Sequence, residues 1–299
     1  MKVVLIGSVG SSKIILEEMI KVNFPIEMVF SLDEEYSKNV TGYEPIHDLA
    51  ELNNIPYRKF KKINDEVNIK VISEINPDYI FVIGLSQLVS KKIIDTAKKG
   101  VVGSHPTPLP KYRGRAAMVW QMLLNVKESK CSLFFIDEGI DSGEILAQES
   151  YFLEETDYAL DAERKVNEAF RILVKKVLPK IMDDTLNPQK QDEEEATYLL
   201  KRTLEDGLIN WDEPVENIQR LIRAVSFPYP GAFSYYDGKE KVIFWRADYL
   251  ENKKYIGFNG QIANLTSEYF DVVCTDGLLR IYNYEANEDI KIQVGHKFK

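Results

Sequence analysis

The feature that most constrains this chain is a series of short, almost wholly apolar runs, at residues 2–7, 26–31, 78–84 and 100–103. They alternate with stretches of helical periodicity. A strand that is apolar at every position, not at alternate ones, needs cover on both faces. A parallel sheet sandwiched between helices provides that cover. Helices are expected at 12–22, capped by Ser11 or Ser12, at 46–53, at 67–75 before the Asn76-Pro77 stop, and at 89–97. In such a sheet, ligands sit beyond the carboxyl ends of the strands.

Further along, a helix is expected at 116–125, strands at 131–136 and 145–152, and a long amphipathic helix at 159–182. The pattern changes at Asn187-Pro188 and the acidic run 192–195. That run is read as a solvated face, since adjacent residues cannot all point at one ion. A helix at 215–224 is followed by β-type runs at 233–236, 241–246, 261–265, 269–274 and 278–284, punctuated by Asp237-Gly238, Asn259-Gly260 and Asp276-Gly277 turns. These suggest a small barrel or sandwich. The expected division is 1–186 for the α/β domain, 187–206 for a connector and 207–299 for the β domain.

Charge removes some function classes. With 38 Lys and Arg against 47 Asp and Glu in 299 residues, the net charge of -9 offers no general attraction to nucleic acid or anionic membranes. Cys131 and Cys274 lie far apart within apolar segments, so neither a disulfide framework nor a cysteine metal site is expected. The N-terminal apolar run is too short for a signal peptide, and no stretch reaches the length of a membrane span. A cytoplasmic protein without bound metal is the expectation. Gly7-Ser8-Val9-Gly10 is GxxG, not GxGxxG, and is read as a tight turn into a helix.

Two loops carry chemistry. Residues 104–115, Ser104-His105-Pro106-Thr107-Pro108-Leu109-Pro110-Lys111-Tyr112-Arg113-Gly114-Arg115, form a proline-bounded loop after the run at 100–103. Residues 137–143, Asp137-Glu138-Gly139-Ile140-Asp141-Ser142-Gly143, follow the strand at 131–136. If His105 and Asp141 meet, a carboxylate accepting from one ring nitrogen would fix the tautomer and make the imidazole a better base. That suits acyl transfer to an amine, where an oxyanion develops and a proton must leave the adduct. The alternative is a histidine that caps a loop beside an Asp-Gly turn. His47 and His296 are read as surface or packing residues.

The motif His105-Pro106-Thr107-Pro108-Leu109-Pro110-Lys111-Tyr112-Arg113-Gly114 resembles the HxSLLPxxRG signature of folate-dependent formyltransferases, and Asp141-Ser142-Gly143 resembles their DxG. The likeness continues through 202–206, Trp211, 221–225 and 228–233. Those segments resemble the sugar-nucleotide N-formyltransferase branch. The resemblance implies a Rossmann-like catalytic domain, a C-terminal barrel of the oligonucleotide/oligosaccharide-binding type, and 10-formyltetrahydrofolate as formyl donor. It further implies a UDP- or dTDP-linked amino sugar as acceptor, for cell-surface glycan precursors, and a homodimer. By the same mapping His105 and Asp141 are catalytic. Gly84, Leu85, Ser86, Gln87 and Leu88, with Asp137, Glu138, Gly139 and Ile140, would take the folate, and Leu109 and Pro110 would form the cavity floor.

One position departs from the pattern. The family has an asparagine two residues before the histidine; here it is Gly103. An oxyanion donor lost without replacement costs on the order of 3 kcal/mol. Ser104, or a main-chain N–H uncovered by Gly103, is expected to substitute; otherwise the chain is a folate- or nucleotide-sugar-binding pseudoenzyme. Lys111, Tyr112, Arg113, Arg202 and Arg223 are candidate substrate contacts, the arginines because guanidinium forks fit pyrophosphate oxygens. Each arginine is equally readable as an ion-pair residue. A methionyl-tRNA formyltransferase is the other enzymatic reading. Against it, residues 207–299 hold 11 Lys and Arg and 13 Asp and Glu, a balance that argues against a general basic surface for tRNA and leaves only a local patch open.

Overall fold

The computed structural model describes residues 1–299. In chain order the first part runs β1 (Val3–Gly7), α1 (Gly10–Lys21), β2 (Ile26–Leu32), α2 (Ile46–Leu52), β3 (Tyr57–Phe60), α3 (Glu66–Ile75), β4 (Tyr79–Ile83), α4 (Lys91–Ile94) and β5 (Gly100–His105). It continues with β6 (Arg113–Gly114), α5 (Ala117–Leu123), β7 (Glu128–Phe135), β8 (Ile145–Phe152), α6 (Ala159–Met182) and β9 (Tyr198–Leu199). The remainder is α7 (Val215–Val225), β10 (Ala232–Tyr236), β11 (Glu240–Leu250), β12 (Ile262–Leu265), β13 (Phe270–Val273) and β14 (Leu278–Glu285).

Seven strands form one sheet in the order β3-β2-β1-β4-β5-β7-β8. The first five are parallel, and β7 and β8 are antiparallel to their neighbours. β1 is buried at every position, as its apolar run requires, and Val4, Ile6, Phe30, Ile80 and Val82 join one core cluster. The expected Ser11 or Ser12 cap is corrected: α1 starts at Gly10, and Ser12 acts from the helix's first turn. Its Oγ accepts from the Ser8 and Val9 amides at 3.0 and 3.2 Å and donates to Ile83 O at 2.5 Å. The turn at Gly7 is packed so closely that a Cβ there would lie 2.3 Å from Ser12 Oγ. Strand β3 was not expected, because Tyr57-Arg58-Lys59-Phe60 is half charged; it is the sheet's edge, where side chains reach water. The helix expected over 89–97 is α-helical only at Lys91–Ile94.

The second sheet is antiparallel, in the order β10-β11-β14-β13-β12. Its two edges are both bridged by the last residues, Tyr236 to Phe298 and Gln261 to Lys297, which closes the sheet on itself. Phe298 is fully buried, packed between Trp211, stacked at 5.7 Å, and Phe244, edge-on at 5.2 Å. Phe233 is buried as a core aromatic, whereas Phe227 is exposed.

The chain divides into two compact units that do not follow a single cut in sequence. One comprises 1–117, 128–152 and 164–199; the other comprises 118–127, 153–163 and 200–299. Residues 187–199, expected within the connector, thus belong to the first unit. They are tied there by the parallel pairing of β6 with β9.

Candidate active site

His105 ends β5 and is almost fully buried. The loop after it is held by side chains of the two antiparallel strands. Ser132 Oγ donates to Thr107 O at 2.6 Å, Gln148 Nε2 to Leu109 O at 2.9 Å, and Tyr151 OH to Pro106 O at 2.8 Å. Tyr112 then adopts φ 63°, the left-handed region, and turns its carbonyl back to 2.9 Å from His105 Nε2. A carbonyl only accepts, so Nε2 carries the proton, and in the neutral ring Nδ1 holds the lone pair. Nδ1 faces Asp141 Oδ2 at 3.8 Å. The two loops therefore do meet. The reason given for the tautomer is corrected, however: the Tyr112 carbonyl sets it, not the carboxylate.

Asp141 itself has φ 50°. Its Oδ2 accepts from the Gly114 amide at 2.8 Å, so residues 112 and 114 each hold one member of the pair. Nδ1 and the Asp141 carboxylate thus face one another across 3.8 Å, with the imidazole buried and the carboxylate partly open to water. The arrangement can accept a proton from an attacking group and hold the resulting charge.

Between those residues stands Arg113, fully buried. Its Nη1 and Nη2 donate to Glu193 Oε2 and Oε1 at 2.9 and 2.7 Å, Nη1 to Tyr198 OH at 3.0 Å, and Nε and Nη2 to Gln191 Oε1 at 3.1 and 2.8 Å. Glu193 raises the guanidinium's pKa, and the arginine lowers that of Glu193. The ion-pair reading of Arg113 is thus the one the structure takes, and the pyrophosphate reading is withdrawn for lack of a free donor. Lys111 Nζ lies 3.3 Å from Glu195 Oε2. The acidic run 192–195, expected to be only a solvated face, supplies both of these partners.

In the second unit, Arg202 is half-buried, lies over the Trp120 ring at 5.0 Å and donates to Asp206 O at 2.7 Å. Arg223 is buried and donates from Nε to Gln219 Oε1 and from Nη1 to Asp157 O, both at 2.8 Å. Burial lowers the pKa of both.

A Cβ on Gly103 would lie 2.8 Å from Ile136 Cγ1, 3.0 Å from its Cδ1 and 3.2 Å from Phe134 Cζ. The space an asparagine would need is filled by Ile136. Ser104 is half-buried beside it. In the loop at 84–88, Gly84 has φ 60°, and a Cβ would lie 2.2 Å from Val9 Cγ2. Gln87 is occupied by the fold: its Oε1 accepts from Ile63 N at 3.0 Å and its Nε2 donates to Lys61 O at 2.8 Å. Leu88 is 80% exposed and Ile140 61%, leaving apolar tips on both loops assigned to folate. Lys91, the first residue of α4, pairs with Glu138 of the second loop at 2.7 Å.

Sequence reasoning missed Gln191. Nothing marks it, since a glutamine beside an acidic run reads as solvated loop; only its partners reveal it.

A mostly parallel sheet with an imidazole–carboxylate pair at a strand end, and a separate antiparallel sheet in the second unit, define a two-domain α/β architecture. The chain belongs to the formyl transferase family. The family's model matches residues 2–180, and that of its C-terminal domain matches 201–296. Among solved structures, the fold is similar to an N-formyltransferase from Helicobacter canadensis crystallised with folinic acid and dTDP-3-aminofucose. There the TM-score is 0.65 and identity 20%, over 95% of this chain and 100% of that one. It is also similar to methionyl-tRNA formyltransferase from Clostridium thermocellum, with TM-score 0.62 and identity 24%, over 93% and 100%. HypX from Aquifex aeolicus, solved with tetrahydrofolic acid, matches at TM-score 0.68 and 18% identity over 96% of this chain; the chain spans only 44% of that protein.

Proposed function

We propose that this formyltransferase transfers a formyl group from 10-formyltetrahydrofolate to the amino group of a nucleotide-linked amino sugar. The observation that carries the chemistry is the His105–Asp141 pair, with Nε2 held by Tyr112 O and Nδ1 left facing the carboxylate. The folate supplies an activated formyl carbon. As the amine adds to that carbon, His105 Nδ1 takes its proton, and the Asp141 carboxylate faces the imidazolium that results. The bond from the formyl carbon to folate N10 then breaks, and N10 takes the proton as tetrahydrofolate leaves. The apolar-tipped loops at 84–88 and 137–140 offer the folate its contacts. The absence of net positive charge in residues 207–299 supports a sugar acceptor over tRNA.

One observation favours a second reading, a folate- or nucleotide-sugar-binding protein without turnover: Ile136 fills the place of the family asparagine. Mass-spectrometric detection of formyl transfer separates the two, with UDP- and dTDP-linked amino sugars and methionyl-tRNA as acceptors. The expected product is a formylated sugar nucleotide, with turnover about 100-fold lower or less in His105→Ala. Formylated methionyl-tRNA overturns the sugar reading. Folate binding without any product establishes the second.

A further inference from the structure

The sheet does not by itself bring Asp141 to His105. β7 is antiparallel to β5, pairing Ser132 with His105 and Phe135 with Val102, so the strand leads away from the imidazole. The loop after it must double back, and Asp141 adopts the left-handed region, which aspartate tolerates better than most L residues. Within the loop Asp137 Oδ1 accepts from Gly139 N at 3.0 Å and Ser142 Oγ at 2.8 Å, while the Asp141 end is held from outside. The carbonyls of Asp141 and Gly143 both accept from Gln191 Nε2, each at 2.7 Å, while Gln191 Oε1 accepts from Arg113. A guanidinium only donates, so the amide has one possible orientation, oxygen toward arginine and nitrogen toward the loop. Glu193 and Tyr198 fix the arginine in turn.

We infer that Gln191 is a positioning residue for the Asp141 loop, setting the carboxylate's place opposite His105. It touches neither reacting group. Its catalytic consequence rests on the formyl-transfer reading; its structural consequence does not. Loss of the clamp frees the loop from the carbonyl side and leaves the imidazole, held by Tyr112, where it is.

The test uses Gln191→Leu, which removes both halves of the clamp, and Gln191→Glu, which keeps an acceptor for Arg113 but turns a carboxylate oxygen toward two carbonyls. The first readout is hydrogen exchange at the Gly114 amide, whose bond to Asp141 Oδ2 reports the carboxylate's position without any activity. Exchange about 10-fold faster at Gly114 in both variants, with the Val102 amide of the core unchanged, is expected. Unchanged exchange at Gly114 overturns the inference. The second readout is kcat for formyl transfer, expected to fall on the order of 10- to 100-fold in both variants with KM little altered. The same substitutions should cost little more in an Asp141→Asn background, because Gln191 acts through that residue. Full additivity, or wild-type turnover in Gln191→Glu, would show that glutamine merely satisfies Arg113. Should no acceptor be formylated even by the unaltered chain, the functional reading fails while Gly114 exchange still decides this one.

Discussion

Arg113 and Arg223 look alike in sequence, each a candidate fork for pyrophosphate, and both are buried, yet the structure treats them oppositely. Arg113 spends its donors on a carboxylate, an amide oxygen and a phenol, and its positive charge is matched by Glu193. Arg223 donates to an amide oxygen and a main-chain carbonyl, neither of them charged. Desolvation accordingly lowers its pKa, while pairing raises that of Arg113. A buried cation paired with a carboxylate is part of the scaffold. One hydrogen-bonded to neutral oxygens, with the Asp157 and Glu155 carboxylates acting on it through space, is less closely matched.

Replacing the two arginines should separate these roles. Arg113→Met is expected to be the costlier change for stability, by about 2–4 kcal/mol in chemical denaturation, since it strands Gln191 and dismantles the pairing at Glu193. A loss no greater than that of Arg223→Met would break the comparison. Arg223→Met should cost less stability, because it also removes a desolvated charge, and should weaken binding of a UDP- or dTDP-sugar about 10-fold in titration calorimetry. Undiminished affinity would make Arg223 as structural as Arg113. The mildest change is Glu193→Gln, read as pH dependence. Arg113 holds the Glu193 pKa below its ordinary 4.5, so the pairing stabilises the fold above that pH and is lost as pH falls through the depressed value. The variant should show a shallower loss of stability in acid, and parallel curves would make the charge on Glu193 irrelevant to folding.

The two halves of the site were unequally legible. His105 stands at the end of an apolar run, inside a proline-rich motif whose order alone marks it. Its loop is anchored by Ser132, Gln148 and Tyr151, residues of strands the pattern also revealed. Asp141 was legible as a residue but not as a position, because helix-and-strand alternation predicts parallel pairing and β7 runs the other way. Gln191 was illegible for a different reason: amide hydrogen bonds depend on chance proximity in space, and no periodicity encodes them. Arg113 shows the limit from the other side, since the residue type that suits phosphate equally suits glutamate.

Strand β3 has a consequence for the molecule's company in solution. It is short and lies at a rim of the seven-stranded sheet, with one row of backbone donors and acceptors unclaimed by any further strand. Arg58 and Lys59, the residues that hid it from a pattern search, are engaged with Asn68 and Glu34, so a second copy laid alongside meets long polar side chains in place of an apolar ridge. The polarity that made this strand hard to read also makes it a poor template for strand addition, and so protects the sheet from growing into a fibre at that side.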